Sequence, residues 1–175
     1  MKENSINRRQ FLGTAGTAVA GAMLINPVES FASLKRSGKS KVALVGTGIR
    51  GTTFWGKNLV TNYSDILEFV GLCDINPGRL EFARNYMGVS CKVYTDFDEM
   101  LKKAKPDIVI VTTVDATHHE FIIKGLKYGA DVITEKPMTT DEIKCQAILD
   151  AEKESGRKLK VGFNYRYSHL ATAIK

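Results

Sequence analysis

Three glycines and one acid are the residues here whose types and spacing most directly suggest chemistry. The run KVALVGTGIRG, Lys41 to Gly51, is an apolar strand that ends in Gly46-x-Gly48-x-x-Gly51 and turns into a helix. Gly46 permits a tight turn, Gly48 lets the backbone approach a pyrophosphate that a side chain would block, and Gly51 lets helix and strand pack closely. The phosphates then rest on the helix N-terminus, where free N–H groups and the positive end of the dipole favour an anion. Ile49 and Arg50 fill the turn between the last two glycines and belong to the same set of cofactor-binding candidates. Glycines also mark ordinary turns, so the motif needs context.

A second apolar run, Leu67 to Cys73, supplies it by ending in Asp74, 23 residues after Gly51. A carboxylate at the tip of a second strand accepts hydrogen bonds from the adenosine ribose hydroxyls and repels the extra phosphate of NADP, so Asp74 argues for NAD. Asp74 also suits the opening of the Asp-Ile-Asn-Pro turn, with Pro77 at a first helical position. The two roles are compatible. Arg79 is near enough in sequence to serve a 2′-phosphate, which keeps NADP as the alternative.

The elements that must position these residues alternate in period. Six short apolar runs read as strands: Lys41 to Val45, Leu67 to Cys73, Cys91 to Tyr94, Asp107 to Thr112, Asp131 to Thr134 and Lys158 to Phe163. Runs such as Ile108-Val109-Ile110-Val111 are apolar throughout, as a strand covered on both faces requires. Helical periodicity fills the gaps over Gly51 to Asn62, Pro77 to Tyr86, Phe97 to Lys103, Thr117 to Tyr128 and Thr140 to Ser155. Asp96 with Glu99, and Thr139 with Glu142 as a capping box, mark helix starts, while Gly129 and Gly156 mark stops. The pattern predicts an α/β fold with a doubly wound parallel sheet over residues 41–164.

Three further segments fall at the carboxyl ends of predicted strands, where ligands bind in open α/β sheets. They are Thr112-Thr113-Val114-Asp115-Ala116-Thr117-His118-His119, then Glu135-Lys136-Pro137, then Gly162-Phe163-Asn164-Tyr165-Arg166-Tyr167. Together with Gly46 to Gly51 they resemble the glucose-fructose oxidoreductase, inositol dehydrogenase and rhizopine-catabolism (Gfo/Idh/MocA) family of NAD(P)-dependent enzymes, over residues 41 to about 170. The family's Thr-Pro-Asn-x-x-His segment appears as Thr113 to His118 with Val114 in place of the proline. The more specific Glu-Lys-Pro triplet is intact.

The resemblance implies that Lys136 sits beside the nicotinamide and the reacting hydroxyl, where its ammonium can hydrogen-bond the substrate oxygen and assist proton transfer. It places Thr113, His118, Glu135, Asn164 and Arg166 on the cofactor side. It also implies a sugar or polyol substrate, a homo-oligomer when full-length, and a second α/β domain beyond residues 165–175. Taken alone, Glu135 to Pro137 reads sooner as a surface turn into the next helix, and Arg166 equally as an interdomain ion-pair partner. Two other functions fit the same residues. One is an NAD-dependent glycosidase acting through transient oxidation of the sugar ring, against which the retained Lys136 weighs. The other is a truncated module that binds dinucleotide and does nothing further.

The amino-terminal stretch reads differently from the rest. Asn7-Arg8-Arg9-Gln10-Phe11-Leu12 precedes an uncharged small-residue run from Gly13 to Pro27 and then Ser30-Phe31-Ala32, a small-x-small cleavage pattern. It resembles a twin-arginine export signal over residues 1–32, followed by a polar linker at 33–40, and predicts export to the periplasm with cleavage near Ala32. Its apolar run falls short of the roughly 20 strongly apolar residues a membrane span needs, so no stable anchor is expected. The expected partner is the export machinery.

The net charge is +6, and losing residues 1–32 removes three basic and two acidic side chains to leave +5. The basic residues are dispersed and accompany no nucleic-acid motif, so a nucleic-acid partner is not expected. Cys73, Cys91 and Cys145 lack metal-ligand spacing and read as buried thiols, with no metal and no favoured disulfide pair.

Overall fold

In a computed structural model of the chain, the described residues are 38–163. The readings for residues 1–32, for most of the linker at 33–40, and for Asn164 and Arg166 lie outside them.

Six parallel strands alternate with helices. They are β1 (Ser40–Val45), β2 (Leu67–Cys73), β3 (Lys92–Tyr94), β4 (Ile108–Val111), β5 (Asp131–Glu135) and β6 (Leu159–Gly162). The sheet order is β3-β2-β1-β4-β5-β6, so the order reverses between β1 and β4 and opens a crevice at their carboxyl ends. Every pairing is parallel; Val45, for example, stands opposite Cys73 on one side and Val111 on the other.

Alternation along the central strands explains why both faces are covered. Val42, Leu44 and Ile110 point into one core with Leu72, Leu80 and Met87, whereas Ala43, Val45, Val109 and Val111 point into the other with Ile122, Leu126 and Ile148. Successive strand side chains face opposite ways, so a run such as Ile-Val-Ile-Val feeds two cores at once.

The first helix, α1, opens in an unexpected form. Arg50–Lys57 is wound as a π-helix and continues as α-helix over Asn58–Tyr63. The amide of Asn58 reaches back to the Thr53 carbonyl, the wider i to i−5 spacing. The remaining helices are α2 (Pro77–Met87), α3 (Phe97–Ala104), α4 (His118–Tyr128), preceded by a 3₁₀ turn at Asp115–Thr117, and α5 (Glu142–Ser155).

Caps follow local chemistry. Asn76 Oδ1 accepts from the amides of Gly78 and Arg79 at the start of α2, with Pro77 in the first turn. Asp96 accepts from Glu99 at the start of α3. At α5 the expected Thr139 and Glu142 capping box does not form. Asp141 accepts from the Lys144 amide instead, which pulls its carboxyl below the usual range, and Thr139 Oγ1 has no partner among the described residues. Asp is as good a cap as Thr and carries a charge that suits the helix N-terminus, so the helix starts two residues later than the capping box predicts.

Candidate functional site

The glycine turn is held shut by its neighbours. Gly46 has φ +89°, and a Cβ there would lie 2.6 Å from the carbonyl carbon of Thr112. At Gly51 a Cβ would lie 2.2 Å from the Gly46 oxygen. Thr112 Oγ1 donates to the Gly46 carbonyl at 2.6 Å and so ties the turn to the end of β4. Gly48 is the opposite case, because a Cβ there would meet nothing within 4 Å. Its face opens onto free space, a cradle that a side chain would fill, and that is what a pyrophosphate-binding turn needs.

Asp74 is buried and its carboxylate is engaged by the turn itself. Oδ2 accepts from the Thr47 amide at 2.7 Å and from Thr47 Oγ1 at 3.1 Å, while Oδ1 accepts from the Asn76 amide at 2.9 Å. Of the two roles weighed for Asp74 from sequence, the structural one is present, since Asp74 shapes the Asp-Ile-Asn turn, and Oδ1 retains acceptor capacity. Thr47, which carried no signal in the sequence, is the residue that joins the glycine turn to β2. Ile49, Ile75 and Val114 are strongly exposed aliphatic side chains at the ends of the adjacent strands β1, β2 and β4.

Across the sheet reversal, a cleft of about 520 Å³ is lined by Arg50, Thr112, Thr113, Asp115, His118, Glu135 and Lys136. Five of these seven are residues singled out in the sequence, brought together from β1, β4 and β5. Glu135 is buried, and its Oε1 accepts from Arg50 Nε at 2.8 Å and from Trp55 Nε1 at 2.7 Å. The Arg50 guanidinium also stacks 3.9 Å from the Phe54 ring centroid. An arginine at the helix N-terminus is thus paired with the glutamate that precedes Lys136, so the glycine turn and the Glu-Lys-Pro turn are cross-braced.

His118 is buried rather than solvated, at 1% exposure. Its Nδ1 lies 2.9 Å from the Pro137 carbonyl oxygen and its Nε2 3.1 Å from that of Thr113. It therefore straps the loop after β4 to the turn after β5. Lys136 and Asp115 are exposed, and neither forms a side-chain hydrogen bond or ion pair with another described residue.

Of the cysteines, Cys73 is buried beside Asp74, and burial, with the Asp74 and Asp96 charges adding to it, pushes its thiol up to about 12. Burial likewise pushes Cys91 up to about 11. Cys91 and Cys145 are only half-buried, unlike the sequence expectation, and all three are free thiols. No group of His, Cys, Asp and Glu suited to a metal occurs among the described residues.

A parallel sheet in this order, with a glycine turn at the end of β1 and an acid at the end of β2, defines a dinucleotide-binding domain. The chain belongs to the Gfo/Idh/MocA oxidoreductase family with an NAD-binding Rossmann fold, which matches residues 40–163. It is 38% identical over 138 residues to YteT of Bacillus subtilis (strain 168), a protein named as an oxidoreductase, covering 77% of this chain and 32% of that one. It is 30% identical over 130 residues to the inositol 2-dehydrogenase/D-chiro-inositol 3-dehydrogenase of Lactiplantibacillus plantarum, covering 74% and 37%. The WlbA dehydrogenase of Chromobacterium violaceum, solved with NADH and UDP-GlcNAcA, superposes with a TM-score of 0.74 at 28% identity, over 80% of this chain and 39% of that one. The chain thus spans about a third to two fifths of the length of these proteins.

Proposed function

We propose that this chain is the cofactor-binding part of an exported NAD-dependent oxidoreductase acting on the CH–OH group of a sugar, polyol or derivative. The observation that carries the reading is the cleft itself, which gathers Arg50, Thr113, His118, Glu135 and Lys136 next to an open glycine turn. The relatives named for inositol and sugar-nucleotide chemistry support the substrate class. When bound, NAD supplies the hydride acceptor.

In this reading Gly46, Gly48, Ile49, Arg50 and Gly51 cradle the pyrophosphate, and Asp74 takes the adenosine ribose and favours NAD over NADP. Thr113, His118 and Glu135 shape the nicotinamide side, joined by Asn164 and Arg166 beyond the described residues. Lys136 Nζ donates a hydrogen bond to the reacting oxygen and guides departure of its proton. A second α/β domain, beyond residues 165–175, supplies most substrate contacts in a homo-oligomer.

The Lys136→Ala variant of the full-length polypeptide tests the assignment. Turnover of NAD with a sugar or polyol panel should fall by about 10²- to 10⁴-fold, with stability unchanged because Lys136 braces no other described residue. Turnover at the parent rate would sink the reading. Export through the twin-arginine route, with cleavage near Ala32, is checked by fractionation; an uncleaved precursor confined to the cytosol would overturn it.

A further inference from the structure

Four charged side chains line the cleft, and they divide into two kinds. Arg50 and Glu135 are engaged with each other, and Trp55 takes the same carboxylate oxygen. Lys136 and Asp115 are left open, with no ion pair or side-chain hydrogen bond to a described residue. They stand at the ends of the paired strands β5 and β4. Asp115 is not adrift on a loose loop. Its own carbonyl accepts from the His118 amide, the Val114 carbonyl accepts from the Thr117 amide at 2.8 Å, and the His118 ring holds the Thr113 carbonyl.

An unpaired ammonium and an unpaired carboxylate in one cleft match a pair of neighbouring hydroxyls. One hydroxyl oxygen accepts from the ammonium while the next hydroxyl donates to the carboxylate, and both bonds are charge-assisted. A ligand carboxylate at the second position gains no such bond and meets repulsion instead.

We propose that Asp115 is a substrate-binding residue that sets specificity: it accepts a hydrogen bond from a hydroxyl next to the one Lys136 serves, and it selects neutral polyols and sugars over their carboxylate counterparts. The inference rests on the assignment of this cleft to the substrate under the proposed function. It adds the chemical class of the substrate and a residue that sets it.

The test uses the full-length polypeptide with NADH bound and measures binding by ligand-observed NMR and calorimetry. The probes are two matched pairs, D-glucose with D-glucuronate and D-galactose with D-galacturonate. The parent should bind the neutral member of at least one pair about tenfold or more tightly, and Asp115→Asn should reduce that preference to about threefold or less, chiefly by weakening the neutral sugar. Asp115 is exposed and without a side-chain partner among the described residues, so the isosteric change leaves folding as in the parent. NADH affinity, read from its own fluorescence, should change by less than about twofold, as expected for a group outside the cofactor's contacts.

An unchanged preference in Asp115→Asn overturns the proposal, as does the absence of binding by either neutral sugar. A loss of NADH affinity in the variant overturns it too, since the carboxylate would then serve a ribose hydroxyl of the cofactor. Because the readout is binding, a fully active Lys136→Ala variant would sink the catalytic reading alone, whereas an inactive one with unaltered Asp115→Asn selectivity would sink this inference alone.

Discussion

The two sides of the cleft are built on opposite plans. On the side of β1 and β2, the polar side chains at the glycine turn are engaged from within: Asp74 accepts three hydrogen bonds, and Thr52 Oγ1 donates to the Thr47 carbonyl at 3.0 Å. On the side of β4 and β5, the scaffold is braced just as firmly by His118 and by the Arg50–Glu135 pair, yet Lys136 and Asp115 are held out with no side-chain partner among the described residues. A ligand of fixed shape can be met by a prebuilt backbone cradle, which costs little to organise at the moment of binding. Groups that act on a variable substrate must keep their hydrogen-bonding capacity free. Under the proposed function, the contrast separates residues that fix the turn from residues that wait for a ligand.

Alanine substitutions in the glycine turn offer the sharpest way to break that contrast. Gly51→Ala forces a Cβ against the Gly46 oxygen and Thr112 Oγ1, so we expect a loss of about 3 kcal/mol in urea unfolding, together with loss of NADH binding. Gly48→Ala meets nothing in the protein, so stability should stay within about 0.5 kcal/mol while NADH affinity falls by about tenfold or more, because the added methyl fills the cradle. Equal destabilisation by both substitutions would show that Gly48 serves the fold and not a ligand.

The smallest expected effect concerns the thiols on the closed side. Cys73 keeps its proton in the native state up to about pH 12, whereas an exposed thiol in the unfolded chain loses it near 9. The native state then holds more protons than the unfolded one above pH 9, so this contribution to stability is intact below pH 9 and is lost as pH rises towards 12. Cys91 acts the same way up to about 11. Urea midpoints at pH 8 and pH 10 check the sign, and the value at pH 10 should be the lower of the two. Rapid reaction of Cys73 with a thiol reagent at pH 8 would contradict its protonated state.

Much of this was legible before any coordinates, and the particular residues show why. The strands at Val42 to Val45 and Ile108 to Val111 appear where the apolar runs place them, because a run that is apolar on both alternate positions has no stable home except a doubly covered sheet. Pro77 in the first turn of α2, Asp96 at the α3 start and Gly129 after α4 act through neighbours within four residues, so sequence spacing suffices. The choice between Thr139 and Asp141 was missed because two adequate caps stand two residues apart, and the tertiary setting of the turn after β5 selects one.

The contacts that escaped notice share a different trait. Thr47 meets Asp74 across 27 positions, Trp55 meets Glu135 across 80, and Arg50 meets Glu135 across 85. Asp115 drew attention only as part of a quoted segment, since an acid at a strand end is common and its lack of a partner is a property of the folded cleft.

What the amino-acid order determined by itself is the strand-helix alternation, the glycine turn with its acid 23 residues on, and hence the dinucleotide fold, because these depend on backbone preferences and side-chain periods that act over a few residues. Only the tertiary structure decided which charges neutralise one another and which stay open. That division depends on distances between strands far apart in sequence, and at β1, β4 and β5 it pairs Arg50 with Glu135 and leaves Lys136 and Asp115 facing the cleft.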